Sequence, residues 1–308
     1  MSDRPAAAAA AFDPADFAAL GGLNLRARRV VEGFLNGVHA SPFHGPSVEF
    51  ADYRPYQPGD DLRHLDWRLY ARTDRLYSKR YVEETNARAW LVVDTSGSMA
   101  YRGRRAWGSK LEAARTLAAA LGWLLLGQGD AVGLVAPDRS GAGTPAPADL
   151  RPSAARTHLG RLLGALEGLP AAGEGGLAEL LERTARLARR RGLVFLVGDL
   201  LEPVAALRVP LQRLRFAGHE VRVLRVHDPD EIDFPFPPGA VLEDLESGVR
   251  RSVESAATVE LYLRRFAVHR AEHEELLHEL EIPHAEARTD RDPALALLEL
   301  LAARRRAA

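Results

Sequence analysis

The chain has 308 residues, 41 basic and 42 acidic side chains, a net charge of −1 and no cysteine. This excludes disulfides, thiolate nucleophiles and cysteine-based metal sites, fits a reducing compartment, and argues against a general binder of nucleic acid. Only Lys79 and Lys110 are lysines, and neither follows the spaced glycines of a phosphate-binding P-loop, so that class of NTPase is excluded as well.

Residues 1–22 are Ala-rich but broken by Asp3, Arg4, Asp13 and Asp16, which denies them an apolar signal core and predicts a disordered leader. No run of about 18 uncharged apolar residues occurs, so no membrane span is expected and a cytoplasmic location is the default. Residues 23–86 form an N-terminal extension. Leu25, Val30, Val31, Phe34 and Leu35 have the spacing of a helix over Leu23–Ala40. Val48–Tyr53 and Leu76–Val82 have the alternation of short strands. Residues 87–308 then change pattern. Apolar runs at Trp90–Val93, Ala131–Ala136, Leu193–Val197 and Val221–Val226 alternate with helical stretches at Lys110–Leu126, Ala155–Leu166, Leu177–Arg190, Val204–Phe216 and Thr258–Leu280. Val241–Val253 reads as a hairpin around Glu246-Ser247-Gly248. Pro283–Arg288 and a helix over Pro293–Arg305 close the chain. Short apolar strands alternating with helices predict an α/β fold, a mostly parallel sheet covered on both faces.

The chemistry concentrates at two strand ends. Trp90–Val93 delivers Asp94, then Ser96 and Ser98 around Gly97; Val194–Val197 delivers Gly198 and Asp199. In a parallel sheet both carboxylates reach the carboxyl edge, where open α/β sheets bind ligands. Asp94, Ser96, Ser98 and Asp199 are hard oxygen donors of the kind Mg²⁺ takes at about 2.1 Å, with Mn²⁺ or Ca²⁺ as substitutes. Such a site would keep affinity for an acidic group of a partner protein.

These residues resemble the metal-ion-dependent adhesion site of von Willebrand factor A domains, whose Asp-x-Ser-x-Ser motif matches Asp94, Ser96 and Ser98. The resemblance implies that Asp199 is the later-strand aspartate, and it places Gly175 where that family carries a threonine. A second resemblance covers more of the chain. Glu49 through Arg63, with Asp66-Trp67 and Ala71-Arg72, is similar to the signature of domain-of-unknown-function family 58, which precedes a von Willebrand factor A-like domain. It implies action beside a MoxR-type AAA+ ATPase. Asp60, Asp61, Arg63, Asp66 and Trp67 form the densest part of the signature and read either as a partner-facing patch or as a local salt-bridge network.

Three functions stay open on these residues: a non-enzymatic, metal-dependent interaction module, a metal-dependent phosphohydrolase using Asp94 and Asp199, and a metal-free scaffold. The first is the expectation. A dehalogenase-like phosphatase would want a second acid two residues after Asp94, where Ser96 stands. His269 and His273 fit an H-x-x-E-H pattern, but their charged neighbours read as a solvated helix face.

Overall fold

The computed structural model describes residues 12–40, 53–55, 77–79, 87–137, 149–171 and 176–302. The chain divides into two compact units, Asn36–Asn86 and the remainder. In the smaller unit β1 (Tyr53–Pro55) pairs antiparallel with β2 (Tyr77–Lys79), Tyr53 opposite Lys79. β2 falls inside a predicted strand, whereas β1 starts at the last residue of the other.

The larger unit opens with α1 (Pro14–Ala19), which corrects the expectation of disorder throughout the leader. Asp13 caps this helix by accepting from the Ala15 N–H, and Phe17 is buried with its ring 4.7 Å from Trp107, edge to face. One aromatic anchor and one cap order a segment whose composition reads as unstructured. α2 (Leu23–Ala40) follows, burying Leu23, Ala27, Val30 and Val31. Leu25 and Leu35, expected on its apolar face, are exposed.

Six strands build the main sheet: β3 (Arg88–Val93), β4 (Ala131–Val135), β5 (Asp149–Ser153), β6 (Leu193–Gly198), β7 (Glu220–His227) and β10 (His284–Arg288). Their order is β10-β7-β6-β3-β4-β5, all parallel except β5, which runs antiparallel along β4. Between β7 and β10, β8 (Val241–Glu243) and β9 (Arg250–Ser252) form the expected hairpin. β5 was not predicted: its sequence DLRPS buries only Leu150, the signature of an edge strand.

The alternation along the strands sorts the core into two layers. Leu91, Val93, Leu134, Phe195, Val197, Leu224 and Val226 join the cluster of α3 (Lys110–Gly127), α4 (His158–Glu167) and α9 (Pro293–Ala302). Trp90, Val92, Val194, Leu196, Val221 and Val223 join that of α5 (Leu177–Leu187), α6 (Val204–Phe216) and α8 (Ala256–Glu279). A short helix, α7 (Pro229–Asp233), follows β7 directly. The result is the expected α/β architecture, a mostly parallel sheet with helices on both faces, consistent with a von Willebrand factor A-like fold. No helix among the described residues is long and apolar enough to cross a membrane.

Candidate functional site

The parallel pairing of β3 with β6 sets Val93 opposite Val197, and the Asp94 N–H donates to the Val197 carbonyl at 2.9 Å. Asp94 thus stands beside Gly198, one residue before Asp199. A Cβ on Gly198 would lie 2.6 Å from the Asp94 Cβ, so only glycine lets the first carboxylate come this close to the neighbouring strand. After Asp94 the chain turns into a 3₁₀ helix, Gly97–Ala100.

The four predicted donors meet. The Ser96 N–H donates to Asp94 Oδ1 at 2.9 Å, the Ser96 and Ser98 hydroxyls are 3.0 Å apart, and Ser98 Oγ donates to Asp199 Oδ2 at 2.7 Å. Asp94, Ser96 and Asp199 are all less than 5% exposed. Leu200, at φ +55°, carries the chain out of the site, and the Leu201 N–H returns to Asp199 Oδ1 at 3.3 Å. A buried leucine in the left-handed region is strained by roughly 1–2 kcal/mol.

Lys110, absent from the predicted set, is the largest charged group of the site. It is the first residue of α3 and 0% exposed. Its Nζ donates to Asp199 Oδ2 at 2.8 Å and to Glu231 Oε1 at 2.5 Å. The surroundings fix this ammonium from several sides. Ser109 and Glu112 form a capping box at the start of α3, and the Lys110 N–H donates to the Tyr101 carbonyl at 3.0 Å. Glu231 is held by the Asp228 N–H, which donates to Oε2 at 3.0 Å, while Tyr262 donates to the Glu231 carbonyl at 3.0 Å. Asp228 itself accepts from the Gly103 N–H and from Thr289 Oγ1, both at 2.9 Å, which pins the loop leading to α3.

The two aspartates end in opposite electrostatic states. Burial, reinforced by the charge of Asp199, pushes the Asp94 carboxyl up to about 7. Burial would raise Asp199 too, but the Lys110 ammonium and the Ser98 hydroxyl outweigh it and hold that carboxyl below its ordinary value. Burial disfavours the Lys110 charge, yet Asp199 and Glu231 together raise its affinity for the proton. The site is therefore a closed ion-pair network with one carboxyl, Asp94, left without a cationic hydrogen-bond partner among the described residues.

At Asp199 Oδ2 this donor set leaves no position for a divalent cation. Asp199 Oδ2, the oxygen that faces Ser98, already accepts from both Ser98 and Lys110, which fills its two lone-pair positions. Among the described residues no group of three or more His, Asp or Glu side chains is placed to hold a metal. Gly175 and the signature residues Asp60, Asp61, Arg63, Asp66 and Trp67 lie outside the described residues. His269 and His273 use ring nitrogens on backbone: His269 Nε2 with the Leu200 carbonyl at 3.0 Å, His273 Nε2 with that of Glu202 at 2.9 Å. His273 is 1% exposed, so the reading of a solvated face is corrected; the pair ties α8 to the loop after β6.

The hairpin arches over the site. A Cβ on Gly97 would meet the Leu245 carbonyl at 2.5 Å, and the Ser98 N–H faces Glu246 Oε1 at 3.5 Å. Beside it, a groove of about 770 Å³ runs between hairpin, α8 and the loop after Asp199, lined by Leu201, Phe234, Leu242, Arg251, Tyr262 and Phe266.

This is an α/β protein whose polar groups converge at the carboxyl edge of its sheet. Residues 52–275 match the family model described as "Protein of unknown function DUF58", and the chain belongs to that family. Uncharacterized proteins of Mycobacterium tuberculosis and Mycobacterium bovis are each 34% identical over 298 residues, covering 96% of this chain and 92% of theirs. The solved structure of BatB from Bacteroides thetaiotaomicron is 14% identical with a TM-score of 0.45, covering 71% of this chain and 99% of its own. An aerotolerance-related membrane protein of Bacteroides fragilis gives 16% and 0.42, covering 70% and 99%.

Proposed function

We propose that this protein is a non-enzymatic protein–protein interaction module, working with a MoxR-type AAA+ ATPase in protein maturation or complex assembly. The observation that carries the reading is the closed state of the polar network. Asp199 is committed to Lys110, Ser98 and Leu201, and Ser98 donates its proton to a carboxylate that is itself ion-paired. The one carboxyl of the network free of a cation among the described residues, Asp94, has no second acid two residues on, where Ser96 stands and dehalogenase-like phosphoryl chemistry asks for one. Interface chemistry, by contrast, surrounds the site. The adjoining groove has an aromatic wall, with Phe234 and Tyr262 stacked at 4.0 Å, and Arg251 and Arg265 at its margin. Aromatic and arginine side chains are the preferred anchors of interfaces, and two arginines suit an acidic partner segment.

The test is direct capture of the purified MoxR-type ATPase of the same organism, with and without ATP. Wild type should bind, and the double charge reversal Arg251→Glu with Arg265→Glu should weaken binding at least tenfold. Failure of wild type to bind in either nucleotide state would overturn the proposal. So would Mg²⁺-dependent hydrolysis of p-nitrophenyl phosphate that Asp94→Asn abolishes, which would establish the phosphohydrolase instead.

A further inference from the structure

We infer that Lys110 is the resident cation of this site: its ammonium supplies the positive charge that the Asp94–Asp199 arrangement otherwise asks of a divalent metal, and the site forms without one. The inference is independent of any partner. It rests on the disagreement between the adhesion-site motif, which calls for a metal, and the neighbours the fold gives Asp199.

The geometry is specific. Lys110 Nζ lies 2.8 Å from Asp199 Oδ2 and 2.5 Å from Glu231 Oε1, with its side chain 0% exposed and that of Asp199 2%. An ion held about 2.1 Å from that same oxygen would stand within about 5 Å of the ammonium. Like charges that close, away from water, repel strongly. An ion at Asp94, Ser96 and Ser98 would have one carboxyl and two neutral hydroxyls, and Ser98 is tied to the oxygen that Lys110 already holds.

Lys110 is not a side chain that swings aside. Its backbone is fixed by the capping box and by the Tyr101 carbonyl, and its aliphatic stem is packed within α3's buried start. Its second carboxylate is fixed as well, by the Asp228 N–H. Releasing the ammonium would leave Asp199 buried, and Glu231 partly buried, without a counter-charge, a cost that favours keeping it in place. The clasp thus joins the start of α3, the end of β6 and α7. A metal would join the same strand-end loops from outside the chain; here the chain carries the cation itself.

The test uses the full chain with Mg²⁺ and Mn²⁺ alone as probes. Calorimetry should find wild-type binding of neither ion up to millimolar concentration, and its Tm should be the same in EDTA as in 5 mM Mg²⁺. A Kd below about 100 μM for either ion, or a Tm that falls in EDTA, would overturn the inference. Lys110→Met removes the charge and keeps most of the stem. It should lower Tm in EDTA, gain Mn²⁺ affinity at least tenfold over wild type, and recover Tm as Mn²⁺ is added. A variant as stable as wild type that gains no metal would refute the role of the ammonium. Should Lys110→Met fail to fold, the wild-type titration and its EDTA control decide the matter alone, because they require no substitution.

Discussion

Asp94→Asn separates the two aspartates that a metal site would treat as a pair. A carboxyl moved from its ordinary 3.8 to about 7 sits in a place that penalises its ionised form. At 1.36 kcal/mol for each tenfold change, that penalty is roughly 4 kcal/mol once the group is fully ionised. The sign follows from linkage. The folded state binds the Asp94 proton more tightly than the unfolded state does, so this group lowers stability as pH rises from about 4 to about 7, with no further change above that. Asparagine abolishes the penalty and keeps an oxygen for the hydrogen bond that Asp94 accepts from the Ser96 N–H at 2.9 Å. In EDTA, Asp94→Asn should therefore stabilise the protein by about 1.5 kcal/mol at pH 5 and by about 3–4 kcal/mol at pH 8. Asp199→Asn should do the opposite. It strips Lys110 of the buried one of its two counter-charges, a change that costs about 3–5 kcal/mol. Urea denaturation of wild type and both variants at the two pH values gives the comparison, with the slope m checked for constancy. A stabilisation by Asp94→Asn that is the same at pH 5 and pH 8, or a loss of stability at both, would refute the electrostatic account of the site.

Three further changes probe how the site is held. Gly97→Ala should destabilise by about 1–3 kcal/mol, since the new methyl would lie 2.5 Å from the Leu245 carbonyl; limited proteolysis should then cut within residues 241–252 faster than in wild type. Phe17→Ala should cost about 3 kcal/mol and shift Trp107 fluorescence, because the two rings pack edge to face at 4.7 Å; an unchanged Tm would show that α1 does not anchor there. Glu202→Ala should cost about 1 kcal/mol and speed amide exchange at Leu177 and Ala178, whose N–H groups donate to the Glu202 carboxylate at 2.5 and 3.2 Å.

The strand-end half of the site was legible in the sequence because it is local. Trp90–Val93 and Val194–Val197 announce buried parallel strands, and whatever follows such strands reaches one edge of the sheet. Asp94, Ser96, Ser98 and Asp199 are found there. The other half depends on contacts across 89 residues, from Lys110 to Asp199, and 121 residues, from Lys110 to Glu231. No periodicity reports such distances. One compositional signal pointed to it: Lys110 is one of two lysines among 41 basic residues, at the head of a mostly apolar helix. The helix α1 escaped for a similar reason, its order coming from one ring on a distant tryptophan. The strand β5 has one buried residue, Leu150, and α7 has five residues, too few for a pattern.

The position of Lys110 carries its own argument. The first turn of a helix has a positive end, so a cation there is disfavoured before burial is counted, and α3 already has the anion it prefers in Glu112. Full burial adds a desolvation cost of several kcal/mol for an ammonium. Two carboxylates offset both, and a buried ion pair of this kind adds little net stability over a packed apolar side chain. A leucine at this position would fold as well if Asp199 and Glu231 were apolar too. What the ammonium provides is geometry: it fixes Asp199 Oδ2 toward Ser98, and Ser98 toward Ser96, so that the loop from Asp94 to Ala100 is presented at the sheet edge in one arrangement.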